Sequence, residues 1–102
     1  MDKVIIEIDE DLKDLVPQFI ENRKKDILTL QNLVANNEFD SIAQLSHKIK
    51  GAAAGYGFKN LSDLAAKMEV AAKENNHQTA NQLAQDIENH FSNIEVRYIT
   101  MS

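Results

Sequence analysis

Apolar residues recur at helical spacing along almost the whole chain, and little interrupts them: 102 residues contain only three Gly and one Pro. Leu12, Leu15, Val16, Phe19 and Ile20 begin the pattern, and Ile27, Leu30, Leu33 and Val34 continue it. Ile42, Leu45, Ile49, Ala52, Ala53 and Tyr56 form a second stripe, and Leu61, Leu64, Ala65, Met68, Ala71 and Ala72 a third. A fourth runs through Ala80, Leu83, Ala84, Ile87, Phe91, Ile94, Tyr98 and Met101. The breaks are short. Asn36-Asn37 closes the first stripe, and Gly55 or Gly57 can take the left-handed conformation that ends the second. Asn75-Asn76 separates the third from the fourth. Candidate starts are the acids from Asp9 to Asp11, with Pro17 opening or kinking a helix just beyond. Asp40 and Ser41 offer N-caps, Ser41 with Gln44 at capping-box spacing, and Asn60 with Asp63 marks a further start. Val4-Ile5-Ile6-Glu7-Ile8 has strand-like composition but no evident pairing partner, so it reads as an extended lead-in that packs on the helices. The expected fold is all-α: an antiparallel up-and-down four-helix bundle with a short extra N-terminal helix or extended segment, in one domain over 1–102.

Composition excludes several classes of function. No cysteine is present, which rules out disulfides and thiolate metal sites. No apolar run approaches the ~20 residues of a membrane span. The N-terminus carries acids where a secretory signal has a basic n-region. The lack of cysteine suits the cytoplasm, which is the expected location. The formal net charge of −5 argues against nucleic acid as a partner. That charge is uneven. Residues 41–59 hold Lys48, Lys50 and Lys59 and no Asp or Glu, a local +3 that leaves −8 on the rest. A basic segment around a histidine in an acidic chain points to a small anionic group handled there, with chance clustering of three lysines as the plain alternative.

The histidine in that segment is His47. At about 100° per residue, it lies roughly opposite the centre of the arc formed by Ile42, Leu45, Ile49, Ala52, Ala53 and Tyr56. Its helix neighbours are Ala43 at i−4, Gln44 at i−3, Lys50 at i+3, Gly51 at i+4 and Ala54 at i+7. An ordinary solvated face would be crowded with long charged side chains, whereas this one is mostly Ala and Gly. Gly51 in mid-helix costs roughly 1 kcal/mol relative to Ala, a cost that access for a partner explains better than packing on an exposed face. A neutral imidazole nitrogen is a good nucleophile near neutral pH. Lys50, one turn along, is placed to offset charge on a phosphoryl group carried by His47. Lys48 points further round the helix and contributes only general basic character.

The run His47-Lys48-Ile49-Lys50-Gly51-Ala52-Ala53, followed by Gly57-Phe58, resembles the histidine-containing phosphotransfer (HPt) domain of multistep two-component signalling. The family pattern is His-x-apolar-Lys-Gly-small-small and then a Gly-apolar pair before the next helix, and the chain matches at each position. The helical layout extends the likeness over nearly the whole chain, and the length resembles that of stand-alone HPt proteins. The resemblance implies a bundle whose exposed histidine takes a phosphoryl group from a receiver-domain aspartate or a kinase and passes it on. Carried over by position, His47 is the phosphoacceptor, Lys50 the charge-stabilising neighbour and Gly51 the small residue that lets a partner approach. Ala43, Gln44, Ala54 and Gly55 complete the expected docking face. The implied partners are response-regulator receiver domains and a hybrid histidine kinase, met by a monomer. No cofactor of its own is implied, since the divalent metal belongs to the receiver. The family often places Gln or Glu near the site on the following helix, and Glu69 falls there; an acid could orient Lys50 or His47 but would repel phosphate, so it is assigned no firm role and a solvated helix residue is the favoured reading.

A non-catalytic helical-bundle adaptor, with His47 incidental, remains the alternative from a different class. A histidine-kinase dimerisation helix fits less well, because that pattern usually has an acid and then a proline shortly after the histidine, and Lys48 follows here. His77 and His90 are 13 apart, with His47 on another helix and no i, i+4 His or carboxylate pair near it, so no metal site is expected. His77 reads as a loop or helix-start residue and His90 as a helix-surface residue.

Overall fold

A computed structural model describes residues 3–100. The chain runs through strand β1 (Val4–Asp9), a 3-10 turn (Glu10–Leu12), helices α1 (Val16–Ala35), α2 (Phe39–Tyr56), α3 (Lys59–Lys73) and α4 (His77–Ser92), and strand β2 (Ile94–Ile99). Each helix packs on the next, and α4 closes back on α1. The most extensive of these pairings is α2 with α3. Among the described residues no helix is long and apolar enough to cross a membrane.

The three helix connections are built alike. Each ends a helix with a residue at positive φ: Asn37 at 54°, Gly57 at 88° and Asn75 at 53°. In each, the following amide donates back five residues: Glu38 to the Leu33 carbonyl at 3.0 Å, Phe58 to Ala53 at 2.8 Å and Asn76 to Ala71 at 2.9 Å. These are left-handed helix stops, which Gly and Asn reach at low steric cost. Gly57, not Gly55, takes the turn after α2. At the helix starts the structure departs from expectation. α2 begins at Phe39 behind Glu38 and α3 at Lys59 behind Phe58, neither with a side-chain cap. Ser41 and Asn60 therefore lie inside their helices. The tight connections set these entries, so capping side chains are not needed to turn the chain. Asn76 does cap α4, accepting from the Thr79 amide at 3.1 Å. Pro17 sits in the first turn of α1, where its missing N–H costs nothing.

The expectation of an all-α chain is corrected at its two ends. Val4–Ile8 does have a partner: β1 pairs in parallel with β2, from Val4↔Ile94 to Asp9↔Ile99. Ile94 and Tyr98 therefore lie on a strand and not on the last helix, which stops at Ser92; Met101 falls outside the described residues. The reason is a shared periodicity. Residues four apart lie on one face of a helix and also on one face of a strand, so Ile94 and Tyr98 fit both. The β-branched and aromatic residues of Ile94-Glu95-Val96-Arg97-Tyr98-Ile99 favour the strand. Parallel strands need a long crossover, and here the whole set of helices supplies it.

The core is apolar with two polar intrusions. Phe19 stacks on Tyr56 and on Phe58 with ring centroids 4.6 Å apart in each pair, and Phe58 reaches Phe91 at 6.5 Å, joining α1, α2 and α4 through the α2–α3 turn. Arg23 is buried in α1, its guanidinium 5.1 Å from the Phe19 ring centre and its Nε 3.0 Å from Asp26 Oδ2. Ser46 is fully buried in α2, so the inward stripe of that helix is Ile42, Ser46, Ile49 and Ala53, with Leu45, Ala52 and Tyr56 at its margins.

Strand β1 is amphipathic: Ile8 is 1 % exposed and Ile5 49 %. Ile8→Ala should destabilise the fold by about 2–4 kcal/mol in urea unfolding, and Ile5→Ala by no more than about 0.5 kcal/mol. Equal losses would contradict a strand with one buried face.

Candidate functional site

Helix α2 carries His47 outward, with 68 % of its side chain exposed. The opposite face of α2 is held by buried Ile42, Ser46, Ile49 and Ala53, which fixes the rotation of the helix and hence the direction of the imidazole. Helix α3 meets it from the side. Ser62 on α3 donates its hydroxyl to the Lys50 carbonyl at 3.0 Å, tying the two backbones together one turn from His47.

Two turns further along α3, Glu69 becomes the centre of the site. Its side chain is only 12 % exposed. His47 Nδ1 faces both carboxylate oxygens, at 3.3 Å from Oε2 and 3.4 Å from Oε1. Lys50 Nζ donates to Oε1 at 3.2 Å, and Lys73 Nζ lies 3.2 Å from Oε2. Each oxygen thus carries one lysine, and the imidazole nitrogen lies between them. Burial by itself pushes the Glu69 pKa up, but the hydrogen bonds from Lys50, Lys73 and His47 together outweigh it and hold the value at about 2. Glu69 is therefore a carboxylate throughout the working pH range. A carboxylate opposite Nδ1 favours the tautomer protonated there, which leaves the Nε2 lone pair free.

The structure brings some of the expected residues together and separates others. Ala43, Gln44, His47, Glu69 and Lys73 line one shallow, open depression between α2 and α3. Gly51, Ala54 and Gly55 lie further along the exposed side of α2. A Cβ built on Gly51 or Gly55 would meet nothing within 4 Å, so neither glycine serves internal packing. Lys48 turns away toward α1, with Nζ 3.7 Å from Asp26 Oδ1. Glu69 is not the solvated helix residue expected of it: the packing of α2 on α3 shields it and three donors converge on it. Lys73 was not anticipated at all. Its one sequence signal is its position four residues after Glu69, the favourable order for an i, i+4 acid–base pair.

Of the other histidines, His77 opens α4 and is exposed. His90 is half-buried instead of lying on the surface; burial pushes its pKa down, and Nε2 has no hydrogen-bond partner among the described residues. Among the described residues, no three His, Asp or Glu side chains are grouped so as to hold a metal ion.

Comparison with known protein families matches the chain to the Hpt domain over residues 14–96. No curated protein and no solved structure matches the chain. The matched span takes in all four helices and leaves β1 outside it.

The depressed pKa of Glu69 has a consequence for stability. Its contribution is fully present above the ordinary carboxylate value of 4.5 and is lost as pH falls toward about 2. Urea midpoints of wild type and Glu69→Gln should therefore converge as pH drops through that window, with a smaller difference at high salt. Parallel curves across the window would mean that the carboxylate is not held low.

Proposed function

The chain belongs to the Hpt domain family, and from that premise we propose that His47 is its phosphoacceptor, relaying a phosphoryl group to or from aspartate receiver domains. Hpt domains act as phosphocarriers in two-component signalling and are not enzymes in their own right. The observation that carries the residue assignment is the pairing of His47 Nδ1 with the Glu69 carboxylate on an otherwise exposed imidazole. It directs the basic nitrogen, Nε2, toward an approaching partner.

In the proposed step the Nε2 lone pair attacks the phosphorus of an aspartyl phosphate. The P–Nε2 bond forms as the bond to the aspartate oxygen breaks, and that oxygen leaves as a carboxylate. Return transfer is the reverse. Positioning and charge compensation do most of the work in such a transfer. Lys50, one turn from His47 and bonded to the same carboxylate, exchanges its contact with Glu69 for one with the phosphoryl oxygens in this reading. The divalent ion that such chemistry uses is assigned to the receiver, and this chain is assigned no cofactor.

The docking face in this reading is the small-residue side of α2, with Ala43, Gln44, Gly51, Ala54 and Gly55 around His47. The connections of two or three residues and the closed ring of helix contacts support an antiparallel up-and-down arrangement. A hybrid histidine kinase as a further partner, a monomeric state and a cytoplasmic location complete the proposal.

Phosphorylated receiver domains should label wild type but not His47→Gln, with an acid-labile, alkali-stable product. Label retained on a folded His47→Gln would move the site elsewhere, and no label on wild type from receivers or kinases would favour an adaptor. Gly51→Gln separates access from folding. The open space at Gly51 and the better helix propensity of Gln should leave stability equal or higher by up to about 1 kcal/mol, while transfer from a receiver slows. Unchanged transfer kinetics in that variant would remove Gly51 from the docking face.

A further inference from the structure

The same carboxylate has a second consequence, one that concerns the phosphorylated form and rests on the phosphocarrier reading above. We propose that Glu69 is a positioning residue that keeps a proton on His47 Nδ1 through the entire phosphoryl cycle, so that the phosphorylated ring stays an imidazolium and remains ready to give up its phosphoryl group.

Attack through Nε2 by a ring protonated on Nδ1 gives a ring with phosphorus on one nitrogen, hydrogen on the other and a positive charge. In open water that charge is relieved by loss of the Nδ1 proton. The resulting neutral phosphoimidazole is a poor donor, because breaking its P–N bond would release an imidazolate. Opposite Glu69 the proton stays. When the P–Nε2 bond later breaks, the electron pair returns to Nε2 and a neutral imidazole leaves, with no proton taken from or lost to solvent in either direction.

The geometry supports this on three counts. Nδ1 lies 3.3 and 3.4 Å from the two oxygens, a long contact for a neutral donor that has room to shorten to the ~2.7–2.9 Å of a charge-assisted bond once the ring is cationic. The carboxylate is held in that orientation by Lys73 on one oxygen and, in the unphosphorylated protein, by Lys50 on the other. Its charge does not vary with pH near neutrality, since its own pKa is about 2. The groups facing the ring are Lys50 from α2 and Glu69 and Lys73 from α3. Lys48 is turned to Asp26, and among the described residues no charge from α1 or α4 lies within ion-pair distance of the imidazole. The two lysines offset part of the carboxylate's field, so the expected effect on the rate of phosphoryl loss is about tenfold.

The test uses the intact chain phosphorylated with phosphoramidate, with loss of phosphohistidine followed by 31P NMR across pH ~7–10 and Nδ1 protonation read from 15N shifts. Lability of wild type should persist about one pH unit higher than that of Glu69→Gln, giving about tenfold faster loss at mildly alkaline pH. The Nδ1 proton of the phosphorylated ring should titrate correspondingly higher. A comparison needing no variant places phosphorylated wild type in unfolding urea, where its profile should shift to lower pH. Superimposable profiles for folded wild type, Glu69→Gln and unfolded wild type, with the label on His47 in each, would overturn the role of Glu69 and leave the phosphocarrier reading standing. Wild type that accepts no phosphoryl group on His47 from phosphoramidate or any receiver would overturn both.

Discussion

The close packing of α2 against α3 is the constraint on which the rest of the site depends. His47 and Lys50 lie on one helix, Glu69 and Lys73 on the other, and none of their contacts across the helices exists without that pairing. Small residues, Ala52 and Ala53 on α2 and Ala65, Ala71 and Ala72 on α3, are buried or partly buried in the core. The Ser62 hydroxyl bonded to the Lys50 carbonyl fixes the axial offset between the helices. An axial slip of one residue, about 1.5 Å, is a large fraction of the 3.3 Å between Nδ1 and the carboxylate.

That dependence explains which parts of the site could be read from the residues alone. His47, Lys50 and Gly51 share one helix, and helical geometry places them relative to one another without further information. Glu69 lies 22 positions after His47, and its meeting with His47 depends on the angle and offset of two helices, quantities that local periodicity does not contain. An acid beside a phosphate carrier also looks unfavourable when considered as an isolated charge. It becomes intelligible only once two lysines are seen to occupy its oxygens and the imidazole is seen to present Nδ1 to it.

The fold was legible in the same uneven way. Helix number, the Asn and Gly stops and the role of Pro17 follow from spacing and backbone preference. The sheet does not, because the pairing of Val4–Asp9 with Ile94–Ile99 is a contact between the two ends of the chain. The capping-box reading at Ser41 failed for a related reason: the left-handed Asn37 turns the chain early enough that α2 starts before the expected cap. The buried Ser46 hydroxyl, without a hydrogen-bond partner among the described residues, has no physical explanation in the structure.

The parallel pairing of β1 with β2 also bears on the order of assembly. Joining Val4 to Ile94 closes a loop that contains all four helices. Loop-closure entropy makes such a contact slow to form early and inexpensive only after the intervening chain is compact. The strands therefore act as a latch, fastened after the helices have met. Ile8, lying against Gly57 at the α2–α3 turn, joins that latch to the helix pair that builds the site.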